Sequence, residues 1–314
     1  MKRTFSATAL GIAATLALAA CGGGSSSPLS TGAGSSGGSS GGVPSGGAKA
    51  GTIHVGAANF PESQLIADIY AAALNAKGLK ATTGDPIGAR EVYLKALKQG
   101  SIDLIPEYAY SLLTFYDPSA TQTAPDAVRA ALTKKLPSGE IVLDAAAAED
   151  SNTVTVTKKT ADKWGLKTIA DLAKHSSEVT FAAPAEFQSR EQGLKGLKEK
   201  YNLVPKSFRA LQGNAIAQAL KNDQAQAANI FTTDPSIKAD GFVTLKDPKH
   251  VFGSDNVVPL IRKAKASAKV QSVINAVQSK LTTAKLADMD KMVQVDHKDA
   301  ATVAKQFISD NGLD

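Results

Sequence analysis

Cysteine is nearly absent from this chain: of 314 residues only one, Cys21, carries a thiol. A single cysteine excludes an internal disulfide framework and any cysteine-rich metal site. Histidine is almost as scarce. His54, His175, His250 and His297 lie far apart, with no metal-ligand spacing, so they read as surface or strand-end residues. Aromatics make up 5% of the chain and there is one tryptophan, Trp164, which reads as a packing anchor before Gly165. No P-loop occurs, and no nucleophile–base set stands out. Basic residues exceed acidic ones, 35 to 29, but the charges are interspersed and no basic run is interleaved with aromatics. Nucleic acid is therefore not an expected partner. Long apolar runs are missing too, apart from Ala7 to Leu18. That run is too short to cross a hydrocarbon core of about 30 Å, which needs roughly 20 residues.

What stands at the start of the chain gives Cys21 its meaning. Lys2 and Arg3 precede the apolar run, and Leu18-Ala19-Ala20-Cys21 follows it. The order is that of a secretory signal, and it resembles a bacterial lipobox. The resemblance implies that residues 1–20 are removed and that Cys21 is diacylated, anchoring the protein outside the cytoplasm, in a periplasm or on an outer face. Residues 21–50 are then the lipidated cysteine and a Gly/Ser-rich linker. Such a composition cannot bury enough apolar surface to offset backbone entropy and reads as a tether. Two motif matches inside it, Gly32 to Gly37 for a dinucleotide loop and Gly37 to Gly41 for a nucleophile elbow, lack the flanking strand and helix those motifs need.

From Gly51 onward strands and helices alternate. Thr52 to Ala57 reads as a strand, and Pro61-Glu62 suits the first turn of a helix, where proline loses no bond and an acid meets the positive dipole end. Ile66, Ile69, Tyr70, Ala73 and Leu74 continue at helical spacing until Gly78. Further helices are expected at Glu91 to Lys98, Pro125 to Lys135 and Ala215 to Lys221. Strands are expected at Ile102 to Ile105, Asn152 to Thr157, Ala227 to Phe231, Phe242 to Leu245 and Val257 to Arg262. The tail is helical, with Val270, Val273, Ile274, Val277 and Leu281 as one stripe. Repeated β-α-β order implies an α/β protein with a mainly parallel sheet and ligands beyond the carboxyl ends of its strands.

Five ordered motifs narrow the reading: Val55 to Glu62 (VGAANFPE), Ala96 to Tyr108 (ALKQGSIDLIPEY), Glu186 to Arg190 (EFQSR), Phe231 to Asp234 (FTTD), and Asp247 to His250 (DPKH) with Val258-Pro259-Leu260 behind it. Together they resemble the ProX/OpuAC-like solute-binding proteins of osmoprotectant ABC importers, which capture glycine betaine, choline, carnitine or proline betaine. The resemblance implies a two-lobed periplasmic-binding-protein fold of type II, closing on its ligand like a hinge. Lobe 1 would hold residues 51–153 and 254–314, and lobe 2 residues 154–253. It also implies a monomeric, non-catalytic receptor without metal or cofactor, whose partners are a small zwitterionic or cationic solute, the ABC permease and ATPase subunits, and the membrane through its lipid.

A quaternary ammonium has no N–H to donate, so aromatic faces hold it, each worth about 0.5–2 kcal/mol; a ligand carboxylate calls for Arg or backbone donors. On the resemblance, Tyr108 is a retained cage tyrosine, Ser111 stands at a hydroxyl position, Asn59 is retained, and Arg190 is the carboxylate clamp. Phe231 replaces a tyrosine, Val154 replaces another aromatic, and Asp255 falls where a fourth aromatic is expected. Ala58 replaces a lysine, and Arg90 stands where a small hydroxyl residue is usual. Loss of two walls at about 1 kcal/mol each weakens binding on the order of 30-fold. The same receptor role with a different small ligand therefore stays open, as do a secreted hydrolase on a two-lobed scaffold and a surface lipoprotein with no transport role.

Overall fold

The computed structural model describes residues 51–314. The expected signal peptide, Cys21 and the Gly/Ser linker lie outside the described residues. The first half opens with β1 (Ile53–Val55), α1 (Pro61–Ala76), β2 (Ala81–Thr83), α2 (Arg90–Gln99), β3 (Leu104–Tyr108), α3 (Ala109–Tyr116), α4 (Pro125–Lys135) and β4 (Glu140–Val142). The chain then crosses to β5 (Asn152–Val156), α5 (Lys158–Trp164), α6 (Ile169–Ala173), β6 (Thr180–Ala183), α7 (Leu194–Tyr201), β7 (Ser207–Ala210), α8 (Asn214–Lys221), β8 (Ala227–Phe231), α9 (Ser236–Ala239) and β9 (Val243–Thr244). It returns through β10 (Val257–Arg262), α10 (Ala268–Gln278), α11 (Thr283–Gln294) and α12 (Ala300–Asp310).

These strands form two five-stranded sheets, ordered β2-β1-β3-β10-β4 and β7-β6-β8-β5-β9. Neither is mainly parallel, contrary to the β-α-β reading. In each, the strand that enters after a crossing, β10 or β5, runs antiparallel to both neighbours, while β2-β1-β3 and β7-β6-β8 are parallel. A strand fed from the other lobe arrives from the hinge side and must run against strands fed by local crossover helices.

Each lobe has its own core. α1 buries Leu65, Ile66, Ile69, Tyr70 and Leu74 against the first sheet and against α10, α11 and α12. Pro61 at its first turn, with Glu62 beside it, sets its start. α2 stops at Gly100, whose φ of 81° is left-handed; a Cβ there would also stand 2.8 Å from Arg262 Nη1. In the second lobe, Val154, Val156, Phe181, Leu197 and Val251 form the main cluster. Thr157 caps α5, and a reciprocal capping box of Thr168 and Asp171 starts α6. Trp164 stacks on His175 with ring centroids 4.6 Å apart.

The expected strand at Ile102 begins and ends later, at Leu104–Tyr108. Pro106 reads as a breaker, but it faces Pro259 across the β3–β10 register. Pro259 O instead accepts from Leu143 N, 2.9 Å away on the opposite side, so the facing prolines occupy a pair that needs no mutual N–H bond.

The crossings lie side by side. Glu149 bridges antiparallel to Asn256, Asp150 N donates to Asp255 O at 3.1 Å, and Ser151 Oγ donates to Gly253 O at 3.2 Å. β5 starts at Asn152 and belongs wholly to the second sheet, so a lobe boundary at 153/154 falls inside a strand.

Candidate functional site

A cavity of about 410 Å³ lies between the lobes, beyond the carboxyl ends of β1, β3, β6 and β8. Such ends are where ligands collect in open α/β sheets. The loop between β1 and α1 contributes Asn59 and Phe60, the first turn of α1 contributes Glu62, and the end of β3 contributes Tyr108. The second lobe supplies Phe187, Arg190 and Gln192 after β6, Gln212 after β7, and Phe231, Thr233 and Asp234 at the end of β8.

Three aromatic rings meet here from both lobes. Phe60 lies 5.9 Å from Tyr108 and stacks at 5.6 Å on Phe231. Phe60 caps the start of α1 in an extended conformation, and that geometry turns its ring into the cleft. Sequence reasoning did not assign it a role, although it stands in the Asn-Phe-Pro-Glu motif.

Around the rings the cleft is rich in carboxylates. Glu62 is 3% exposed and accepts from Tyr108 Oη on the same lobe and from Thr233 Oγ1, 2.7 Å away, on the other. Burial, followed by the charge of Asp290, holds its carboxyl well above the usual range. Asp150 accepts from Thr233 N at 3.0 Å and Thr232 Oγ1 at 3.1 Å, and burial followed by Glu62 raises it likewise. Asp290, from α11, also lines the wall and is pushed up to about 7, chiefly by burial.

The cationic side chains of the wall are already engaged. Arg90 makes a bidentate bridge to Glu107 at 2.9 Å per bond, and Glu107 also accepts from Tyr93 Oη at 2.7 Å and Tyr108 N at 2.9 Å. Arg190 reaches across the cleft to Glu91, with bonds of 3.0 and 3.1 Å. Its Nε is buried with no partner, leaving one charged donor uncommitted. Lys195 pairs with Glu191.

Asn59 donates to Gln212 across the lobes. Ser111 gives both N and Oγ to Asp255, each at 2.7 Å. Burial pushes Asp255 up to about 7. Gln192, from the second lobe, donates to Ser111 Oγ at 3.0 Å and Thr114 Oγ1 at 3.2 Å; its Oε1 is a second unpartnered atom.

Tyr108, Arg190, Phe231, Ser111, Asn59, Arg90 and Asp255 thus all line one cleft. Val154 does not. It is fully buried in the core of the second lobe: it shares a strand face with Asn152, but only Asn152, at the start of β5, reaches the cavity edge. The residues that sequence reasoning left out are Phe60, Glu62, Glu91, Asp150, Gln192 and Asp290. Glu62 carried a signal, its place in the first turn of α1, but that position reads equally well as a dipole partner. Among the described residues no cluster of His, Cys, Asp and Glu could hold a metal ion.

Two lobes with separate sheets, paired crossings and an aromatic, charged cleft between them define a two-lobed solute-binding protein of periplasmic type. The chain belongs to the OpuAC family, the substrate binding domain of ABC-type glycine betaine transport systems, whose model matches residues 51–310. It is thus a substrate-binding protein of osmoprotectant ABC transporters, a family of transport proteins and not of enzymes. Among curated relatives, it is 26% identical to the carnitine transport binding protein OpuCC of Listeria monocytogenes, over 83% of this chain and 87% of that one. It is 30% identical to the ergothioneine transport permease/ergothioneine binding protein EgtU of Helicobacter pylori, over 51% of this chain. That second match spans only 29% of the Helicobacter protein. The crystal structure of a glycine betaine/carnitine/choline ABC transporter protein has the same fold, with a TM-score of 0.66 at 23% identity, over 83% of this chain and 99% of that one.

Proposed function

We propose that this protein captures a quaternary-amine osmoprotectant of the glycine betaine or choline type and delivers it to its permease. The observation that carries the reading is the meeting of Phe60, Tyr108 and Phe231 from two lobes beside buried carboxylates. Aromatic faces attract a cation that has no N–H to offer, and the carboxylates add charge attraction inside a water-poor cleft. The solute's own carboxylate, where it has one, goes to the uncommitted Nε of Arg190. Contacts drawn from both lobes favour the closed form, so the solute shifts the population toward it about the paired crossings. Diacylated Cys21 would hold the receptor, as a monomer, at the outer face of the membrane.

Calorimetric titration of residues 51–314 with glycine betaine, choline, carnitine and proline betaine tests the cargo. Micromolar binding is expected. Tyr108→Ala should weaken it by about 2- to 30-fold, the range of one cation–π contact. Arg190→Ala should weaken glycine betaine by on the order of 10- to 100-fold and choline, which has no carboxylate, far less. No binding of any of the four by a folded sample would refute the reading. The anchor is tested separately: labelled palmitate should enter the wild type and not Cys21→Ala.

A second reading keeps the receptor role and changes the cargo. The carboxylate of Asp255 stands where an aromatic is expected, and the Helicobacter relative is named for ergothioneine. Ergothioneine in the same titration series distinguishes the two.

A further inference from the structure

Asp290 is a charged side chain with nothing to do in the fold. It is 1% exposed, it faces the cleft, and neither of its oxygens is reached by a donor in hydrogen-bonding geometry. Gln294, one turn further along α11, comes near without making a bond. Burying a carboxylate without partners is costly, and structures avoid it unless the group has another task. The charged neighbour that bears on it most is a second carboxyl, Glu62, buried in the same cleft wall on α1, against which α11 packs. Two carboxyls buried side by side in one wall retain a proton, since like charges so close cannot readily both ionise.

The surroundings supply no counter-charge. α11 packs on α1 and on α12. The groups bearing on Asp290 are Glu62 on α1, Asp150 on the first crossing and Asp234 beyond β8, all acidic, with Gln294 on its own helix. Tyr108 bears on Glu62. No cation is among the leading influences on either carboxyl, and among the described residues neither is in a salt bridge. Arg90, Arg190 and Lys195, the cationic side chains along the cleft, are bound to Glu107, Glu91 and Glu191. The same wall presents Tyr108, whose hydroxyl is tied to Glu62 and whose ring packs on Phe60.

We propose that the Glu62–Asp290 carboxyl pair is a cation subsite of the cleft, protonated in the unliganded protein and surrendering its proton to solvent as the positive group of the solute arrives. This assignment rests on the proposal that the solute is cationic or zwitterionic. Charge balances in the exchange: the pair goes from one negative charge to two, and the solute brings one positive charge. Asp290 is then a specificity-determining residue, because a neutral solute offers nothing to replace the proton.

The exchange is read in two measurements. Infrared difference spectra of unliganded wild type and Asp290→Asn at pH 7 should show a protonated-carboxyl band in the wild type that Asp290→Asn lacks. Calorimetry with choline and with glycine betaine is then run in phosphate and in Tris, whose ionisation enthalpies differ. The apparent binding enthalpy should change between buffers by the heat of up to one proton per solute, the proton the pair surrenders. In Asp290→Asn the buffer dependence should be lost and affinity should fall, with the melting transition retained. Absence of the carboxyl band overturns the proposal, as does wild-type binding that is independent of buffer. Failure of every cationic or zwitterionic solute to bind, with the band present, would instead refute the cargo reading and leave the shared proton standing.

Discussion

Thr233 donates its hydroxyl hydrogen to Glu62 at 2.7 Å, joining the segment after β8 to the first turn of α1 across the cleft. The same threonine donates its backbone N–H to Asp150 at the crossing. One residue of the second lobe is thus tied to both the floor of the first lobe and the hinge.

Replacing Thr233 by valine removes that link without changing side-chain volume much. A bond to a charged acceptor contributes about 1.5–3 kcal/mol, so solute affinity should fall by on the order of 10-fold or more. Because the link forms only when the lobes meet, the loss should appear mainly as faster solute release in stopped-flow measurements. An unchanged release rate would show that the contact does not hold the closed form.

Arg90 illustrates a different dependence. It is 7% exposed, and the Glu107 it pairs with is fully buried. Arg90→Ala would leave that carboxylate with Tyr93 Oη and Tyr108 N alone. Breaking a buried pair costs about 3–5 kcal/mol, a loss that urea unfolding would register directly. Arg90→Lys, which cannot reproduce the bidentate fork, should fall between.

The hinge has a tight spot at Gly253. A Cβ placed there would stand 2.5 Å from the ring of Tyr110, which is itself buried. Gly253→Ala must displace that ring, at about 1–3 kcal/mol. For a domain of this size the melting temperature should drop by several degrees, roughly 2–4 °C for each kcal/mol, as scanning calorimetry would show.

Stability should also decline as pH rises from about 4 through about 7. Asp255 and Asp290 are each pushed up to about 7 by burial, and Glu62 and Asp150 are held high for the same leading reason. An acid whose pKa is raised on folding binds its proton more tightly in the folded state. Its contribution is present below the unfolded value, about 4, and is lost as pH passes the folded value. Asp171, held low first by Lys174 and then by Thr168, works in the opposite sense but only below about pH 4. Urea midpoints should therefore be higher at pH 5 than at pH 8, with the difference reduced in Asp290→Asn.

Much of the scaffold is legible in the sequence. Pro125–Lys135, Ala227–Phe231 and Val257–Arg262 fold with the bounds their patterns predict, because each is an apolar run or stripe closed by a clear boundary. Ala81–Thr83, Glu140–Val142 and Ser207–Ala210 leave no such trace. Strands of three or four residues are too short to establish alternation, and their pairing is decided by the neighbours. In the cleft, the residues carried by motifs are found along its wall, whereas Val154 lies two residues too far along β5 and is enclosed in the second lobe's core. Asp290 was beyond reach: nothing near it on α11 marks it, and its meaning comes only from Glu62, at the other end of the chain.

The second sheet and the core packed around it come from one uninterrupted stretch, Asn152 to Phe252, while the first sheet is assembled from segments on either side. Phe231, Arg190, Gln192 and Thr233 are therefore inherited as a block, and Phe60, Glu62, Tyr108 and Asp290 as its frame. A gene for such a protein can exchange half of its cleft wall with a relative through two breakpoints placed in the crossings. Reshaping one side of the cleft then needs no change in the half that holds the chain's first and last described elements.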